Sequence, residues 1–194
     1  MTSFQVSAGQ AAGVVSLLAF VPYLVAILRG QTRPSIASWW IWTAVGAALC
    51  ASYFAAGARA SIWTPVSYVV GPFLIALLAL RYGDRHFSRF DAFCLGIAAL
   101  SLILWWWTGI PSVALALNMA VDAVGALPTV RKSWSEPESE DRLAWGLFLL
   151  ANSLNLLAVT PWTLASGVYP SYLFALSLMM NLLLWRKRES HLRA

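Results

Sequence analysis

Charge is scarce in this chain. Only 11% of its 194 residues are Asp, Glu, Lys or Arg, against about 25% in a soluble globular domain. Hydrophobic residues make up 60%, and mean hydropathy is +0.69. These proportions exclude a sizeable water-soluble domain and point to an integral membrane protein. Cysteine is nearly absent. Cys50 and Cys94 both lie in apolar runs, so neither a disulfide framework nor a metal pair is expected. No apolar run contains a lysine, which excludes a Schiff base of the seven-helix rhodopsin kind. His86 and His191 lie in polar segments, and there is no HExxH, no Gly-rich phosphate loop and no Ser/His/Asp or Cys/His constellation. The chain is therefore not read as an enzyme, and no metal or cofactor is expected. Residues 1–10 carry no Lys or Arg, so they lack the basic start of a cleaved signal peptide, and the first apolar run is read as a retained spanning helix.

What the chain has is length enough to cross a bilayer several times. A spanning helix needs about 20 mostly apolar residues. Seven runs qualify: Gln10–Leu28, Ala37–Ala56, Ser61–Leu80, Phe90–Thr108, Ser112–Val130, Leu143–Thr160 and Leu164–Trp185. Short connections with turn chemistry separate them, such as Gly30-Gln31-Thr32-Arg33-Pro34 and Gly109-Ile110-Pro111. With the N-terminus outside, twelve of the thirteen Lys and Arg fall on the cytoplasmic side, and only Arg59 faces out. The positive-inside rule thus predicts N-out, C-in, and it explains the net charge of +5 without a nucleic-acid partner. Compact loops suggest a bacterial inner (plasma) membrane.

The chain also repeats itself. Pro22 and Pro128 are 106 residues apart, as are Trp39 and Trp145, and a basic segment follows each proline. Ser61, Pro65 and Arg81 recur as Ser166, Pro170 and Arg186 at an offset of 105. Under the predicted topology spans 1–3 and 5–7 run in the same directions, and span 4 is the linker that allows this. The predicted organisation is an all-α protein: residues 1–85 as a first three-helix repeat, 86–110 as the linker helix, and 111–194 as a second repeat with a basic cytoplasmic tail.

Polar residues inside the spans are the candidate site. A proline in a helix interior removes one backbone hydrogen bond and kinks the helix, so Pro22 and Pro128 are candidate hinges. Asp122 is the one acidic residue well inside a span. A charge at mid-bilayer costs at least about 2.5–3.5 kcal/mol, and such residues normally face a cavity or a partner. Asp122 is therefore a substrate-binding and proton-coupling candidate. Asn118 lies one helical turn before it, on the same face. Asn152 and Asn155 share a face of span 6, and Asn181 lies in span 7. Amides both donate and accept, as a polar solute requires, and they also join helices. The first repeat has Ala12, Ser16, Gly46, Leu49 and Ala76 at the corresponding places. Tyr68, Tyr169 and Tyr172 are placed to line an outer vestibule. Tryptophans near span ends, among them Trp39, Trp40, Trp42 and Trp105–Trp107, are expected to form interfacial belts. The acidic stretch from Ser133 to Asp141 is expected to be a solvated cytoplasmic loop.

An apolar helix with a proline in its cytoplasmic third, a basic loop and an aromatic helix start, repeated after one linker, resembles the SWEET, SemiSWEET and PQ-loop superfamily of small transporters. The resemblance covers about residues 10–188. The Pro-Gln dipeptide of that family stands here as Pro22-Tyr23 and Pro128-Thr129, and its Pro-Asn pair as Pro65-Val66 and Pro170-Ser171. Its pocket tryptophan of the sixth span falls near Asn155. The resemblance implies two three-helix bundles and alternating access for a small polar solute (sugar-like, amino-acid or nucleoside class), with Ser171 and Tyr172 beside the asparagines. The alternative is a non-transporting membrane subunit that scaffolds a larger complex. Expected partners are the lipid bilayer and the solute, with a homo-oligomer or a membrane-complex partner also open.

Overall fold

The computed structural model describes residues 3–55, 63–84, 88–108 and 111–186. Within them the chain forms seven α-helices and no strand. They are α1 (Ser3–Leu28), α2 (Ile36–Ala55), α3 (Trp63–Tyr82), α4 (Arg89–Thr108), α5 (Pro111–Ser135), α6 (Arg142–Ala158) and α7 (Leu164–Trp185). A 3-10 turn, Pro137–Ser139, lies between α5 and α6. Each predicted span has its helix. Two of them are longer than predicted, because α1 starts at Ser3 and α5 runs past Pro128 to Ser135. By length and composition, Ser3–Leu28 and Gly167–Trp185 are apolar enough to cross a membrane.

Local signals explain the boundaries. At the end of α1, Gly30 adopts φ +69°, the Gly30 N–H donates to the Ile27 carbonyl and the Gln31 N–H to the Ala26 carbonyl. This paired closure needs a left-handed residue, which glycine supplies without strain. The starts of α2 and α6 are built alike. The Ser38 N–H donates to Ser35 Oγ at 3.4 Å, and the Ala144 N–H donates to Asp141 Oδ1 at 2.6 Å. Ser35 and Asp141 are separated by the repeat offset, so the duplication extends to the helix caps. At α4, Ser88 and Asp91 cap each other, the Asp91 N–H donating to Ser88 Oγ and the Ser88 N–H to Asp91 Oδ2.

Helix neighbours come in pairs under the repeat. α2 packs on α3 as α6 packs on α7, α1 touches α3 as α5 touches α7, and α1 packs along α6 while α2 packs on α5. α4 rests on α5 and on α2. The main buried cluster joins α1, α2, α3, α6 and α7 through Phe20, Tyr23, Ile27, Trp39, Ile75, Trp145, Met180 and Leu184. A smaller one, Ile41, Val45, Cys94 and Val121, seats α2 and α4 on α5.

The α2–α5 approach is as close as Gly125 permits. A Cβ there would lie 2.5 Å from Ile41 Cγ2. Gly125→Ala is expected to lower stability by about 1–3 kcal/mol through overpacking. Gly13→Ala, with open space around the added methyl, is expected to leave it unchanged or slightly higher. Unfolding in detergent with added denaturant compares the two, and equal effects would mean that the α2–α5 contact does not hold.

Candidate functional site

A densely connected polar group among the described residues does not lie in the middle of a helix. It lies where the loop after α1 meets the loop after α5. Glu140 is buried, and its carboxylate gathers donors from three helices. Tyr23 of α1 donates from its hydroxyl to Glu140 Oε2 at 2.5 Å, and Trp145 of α6 donates its indole N–H to the same oxygen at 3.0 Å. Lys132 of α5 pairs with Glu140 Oε1 at 2.5 Å, and both side chains are shielded from solvent, at 7% and 0% exposure. The Lys132 ammonium also donates to the Arg33 carbonyl in the opposite loop. Trp39 of α2 donates its indole N–H to Tyr23 Oη at 3.3 Å. The charge of Glu140 is thus compensated by an ammonium and two neutral donors, as a buried carboxylate requires.

Further contacts join the halves at the same end. The Arg33 N–H donates to the Ser139 carbonyl at 2.8 Å, and these two residues are equivalent under the repeat. The Arg33 guanidinium pairs with Glu136 at 2.8 Å in an exposed bridge, and an exposed pair of this kind adds little stability. The Thr129 N–H donates to Ser38 Oγ at 3.1 Å. An open cleft of about 570 Å³ lies over this region, lined by Gly30, Gln31, Arg33, Glu136, Glu138 and Ser139.

Beneath the ion pair lies an aromatic layer. Phe20, Trp39, Trp42, Trp145 and Phe148 form a closed circuit of ring contacts with centroid separations of 5.0–6.5 Å. Tyr23 leans on Trp39 at 4.9 Å. Most of these pairs are edge-to-face, the arrangement favoured by ring quadrupoles. The circuit draws residues from α1, α2 and α6, so it crosses from one repeat to the other.

These findings correct two sequence expectations. The stretch from Ser133 to Asp141 is not a solvated loop throughout. Ser133, Pro137, Ser139 and Glu140 are buried, while Glu136 and Glu138 are exposed. The reason is the long-range pairing of Glu140 with Tyr23, 117 residues away. Trp39, 2% exposed, is not part of an interfacial belt, and Trp40 and Trp42 are half-buried. Trp106 and Trp107 at the end of α4 and Trp185 at the end of α7 are exposed. One signal for the missed residues was present. At the repeat offset Lys132 stands opposite Ala26, and Glu140 opposite Pro34. The charged pair has no counterpart in the first copy.

The predicted polar residues occupy several places. Asp122 is buried in α5 and accepts a hydrogen bond from Tyr172 Oη of α7 at 2.7 Å. Tyr169 stacks on Tyr172 with ring centroids 6.0 Å apart. Asn181 donates to the Trp145 carbonyl of α6 and to the Ser177 carbonyl of its own helix, both at 2.8 Å. Asn152 donates to the Leu173 carbonyl at 3.4 Å. Both amides therefore tie α6 to α7. Asn155 is half-buried, and Ser171 is exposed. The side chains of Asn118, Tyr68, Trp63 and Trp105 fall outside the described residues, as does Arg59. Pro22 lies within α1 just before Tyr23, and Pro128 lies within α5 one turn before Lys132. Each proline thus sits directly behind the interlocked loops. Comparison of the chain with protein-family models, with curated proteins and with solved structures finds no match.

Proposed function

We propose that the chain is a membrane transporter or facilitator of a small polar solute. In this reading all seven helices cross the bilayer with the N-terminus outside. α1–α3 and α5–α7 are two bundles joined by α4, and they open alternately about Pro22 and Pro128. One observation carries the reading: at the basic-loop end the repeats meet through a cluster of polar contacts, with Tyr23, Lys132 and Glu140 at its centre. Contacts of this kind can exchange partners with water when the halves part. A permanent seam in lipid has no such need and is held by close apolar packing. The basic-loop end is then a closed cytoplasmic gate, and the aromatic layer beneath it excludes water from the path.

A second reading has its own observation. Trp106 and Trp107, 85% and 82% exposed, suit a subunit that docks a membrane partner through α4.

Uptake into liposomes by the purified, folded chain separates the readings. The transport reading predicts protein-dependent flux for at least one of a panel of sugars, amines, amino acids and nucleosides. Absence of flux for every member, together with a stoichiometric partner retained after mild extraction, would replace transport with the subunit reading.

A further inference from the structure

We infer that the solute is a small organic cation, a protonated amine, and that Asp122 and Tyr172 form its binding site. This rests on the transport reading and narrows it. Asp122 is a buried carboxylate whose hydrogen-bond partner is a neutral phenol. Glu140, the other buried acid among the described residues, has an ammonium of its own, but among the described residues no comparable group pairs with Asp122. α2 and α7 contain no Lys or Arg. α4 has only Arg89, at its first position. Along α5 the nearest is Arg131, nine residues on, about 13 Å along the helix axis. Its guanidinium is 5.1 Å from the centre of the Phe90 ring and so is engaged elsewhere.

A carboxylate without a countercharge attracts a cation and repels an anion, the more so in a medium of low dielectric. The surroundings match an ammonium rather than a bare metal ion. Tyr172 and Tyr169 stack nearly parallel, at 27°, and an outer face of such a stack is a surface that can receive an organic cation. Among the described residues there is no group of three or more acids, histidines or cysteines that would hold a metal. The ammonium would take the place of the Tyr172 hydroxyl at Asp122 Oδ2 or share that oxygen with it. The same absence of basic residues argues against solutes with a carboxylate. A sugar or an amino acid is disfavoured, one for want of a charge to balance Asp122 and the other for want of a partner for its own acid.

Two readouts test this, one of them independent of transport. In detergent, ethanolamine and tyramine are expected to raise the unfolding temperature of the wild-type chain, whereas glucose, glycine and acetate leave it unmoved. Asp122→Asn is expected to weaken the apparent affinity for tyramine by about tenfold or more, the loss of one charge-assisted bond. Tyr172→Phe keeps the ring and the carboxylate and is expected to retain binding. In liposomes with a negative interior, ethanolamine is expected to accumulate through the wild type and about tenfold less through Asp122→Asn. Glucose flux without any amine effect would overturn the cation site and leave transport standing. Amine binding that Asp122→Asn abolishes, without flux of any solute, would keep the site and overturn transport. Amine binding unchanged in folded Asp122→Asn would show the assignment to be wrong.

Discussion

Glu140→Ala is expected to destabilise the chain by about 3–5 kcal/mol, the effect of leaving one member of a buried ion pair alone. Three groups lose their acceptor at once: the Lys132 ammonium, the Tyr23 hydroxyl and the Trp145 indole. Lys132 keeps only the Arg33 carbonyl, which carries no full charge to balance it. The paired replacement Lys132→Met with Glu140→Leu removes both charges, so it is expected to be less damaging than Glu140→Ala alone. A double-mutant cycle on unfolding in detergent measures the coupling. Independent effects of the two sites would mean that the pair does not form. Arg33→Ala supplies the contrast at the same end. Its bridge to Glu136 is more than half exposed on both sides, and its loss is expected to change stability by less than about 1 kcal/mol.

The second large effect concerns the aromatic layer. Trp39→Ala is expected to cost about 3–5 kcal/mol, as for other buried tryptophans. It removes the ring that touches Phe20, Tyr23 and Trp42, and it opens a cavity between the repeats. Trp106→Ala and Trp107→Ala remove side chains of the same size that stand almost fully exposed, and stability in detergent is expected to stay within about 0.5 kcal/mol. Sequence alone treats all three as belt residues. Equal effects at the three positions would restore that view and remove the layer from the account.

Much of the helical frame is legible in the sequence because it depends on local chemistry. Apolar runs, capping residues and turn glycines lie next to the boundaries they set, and α7 spans the residues predicted for it. The ends of α1 and α5 are less legible. The mixed residues from Ser3 to Gly9, polar, small and apolar without a long apolar run, permit a helix without announcing one. Pro128 lies well inside α5 and the helix continues through it, as α1 continues through Pro22. The asymmetry of the second copy is also legible, in Asp122 and its asparagines. What is not legible is which polar residues meet. Lys132 and Glu140 are eight residues apart and look like flank and loop. They become a buried pair only because Tyr23 and Arg33, more than a hundred and nearly a hundred residues away in sequence, close over them. Nor does composition say that Asn152 and Asn181 are used between α6 and α7, since an amide that joins helices and one that faces a solute look alike in sequence.

The proposed transport cycle requires the basic-loop end to open and close. Gln31 and Glu138 are both exposed and line the same cleft, one from each repeat. In a chain with Cys50→Ser and Cys94→Ala, a short bismaleimide linker between Gln31→Cys and Glu138→Cys would fasten the loops together. The account predicts that the linked protein loses solute flux, while the same pair, labelled singly with a monofunctional maleimide, keeps it. Full flux through the linked protein would contradict a gate at this end.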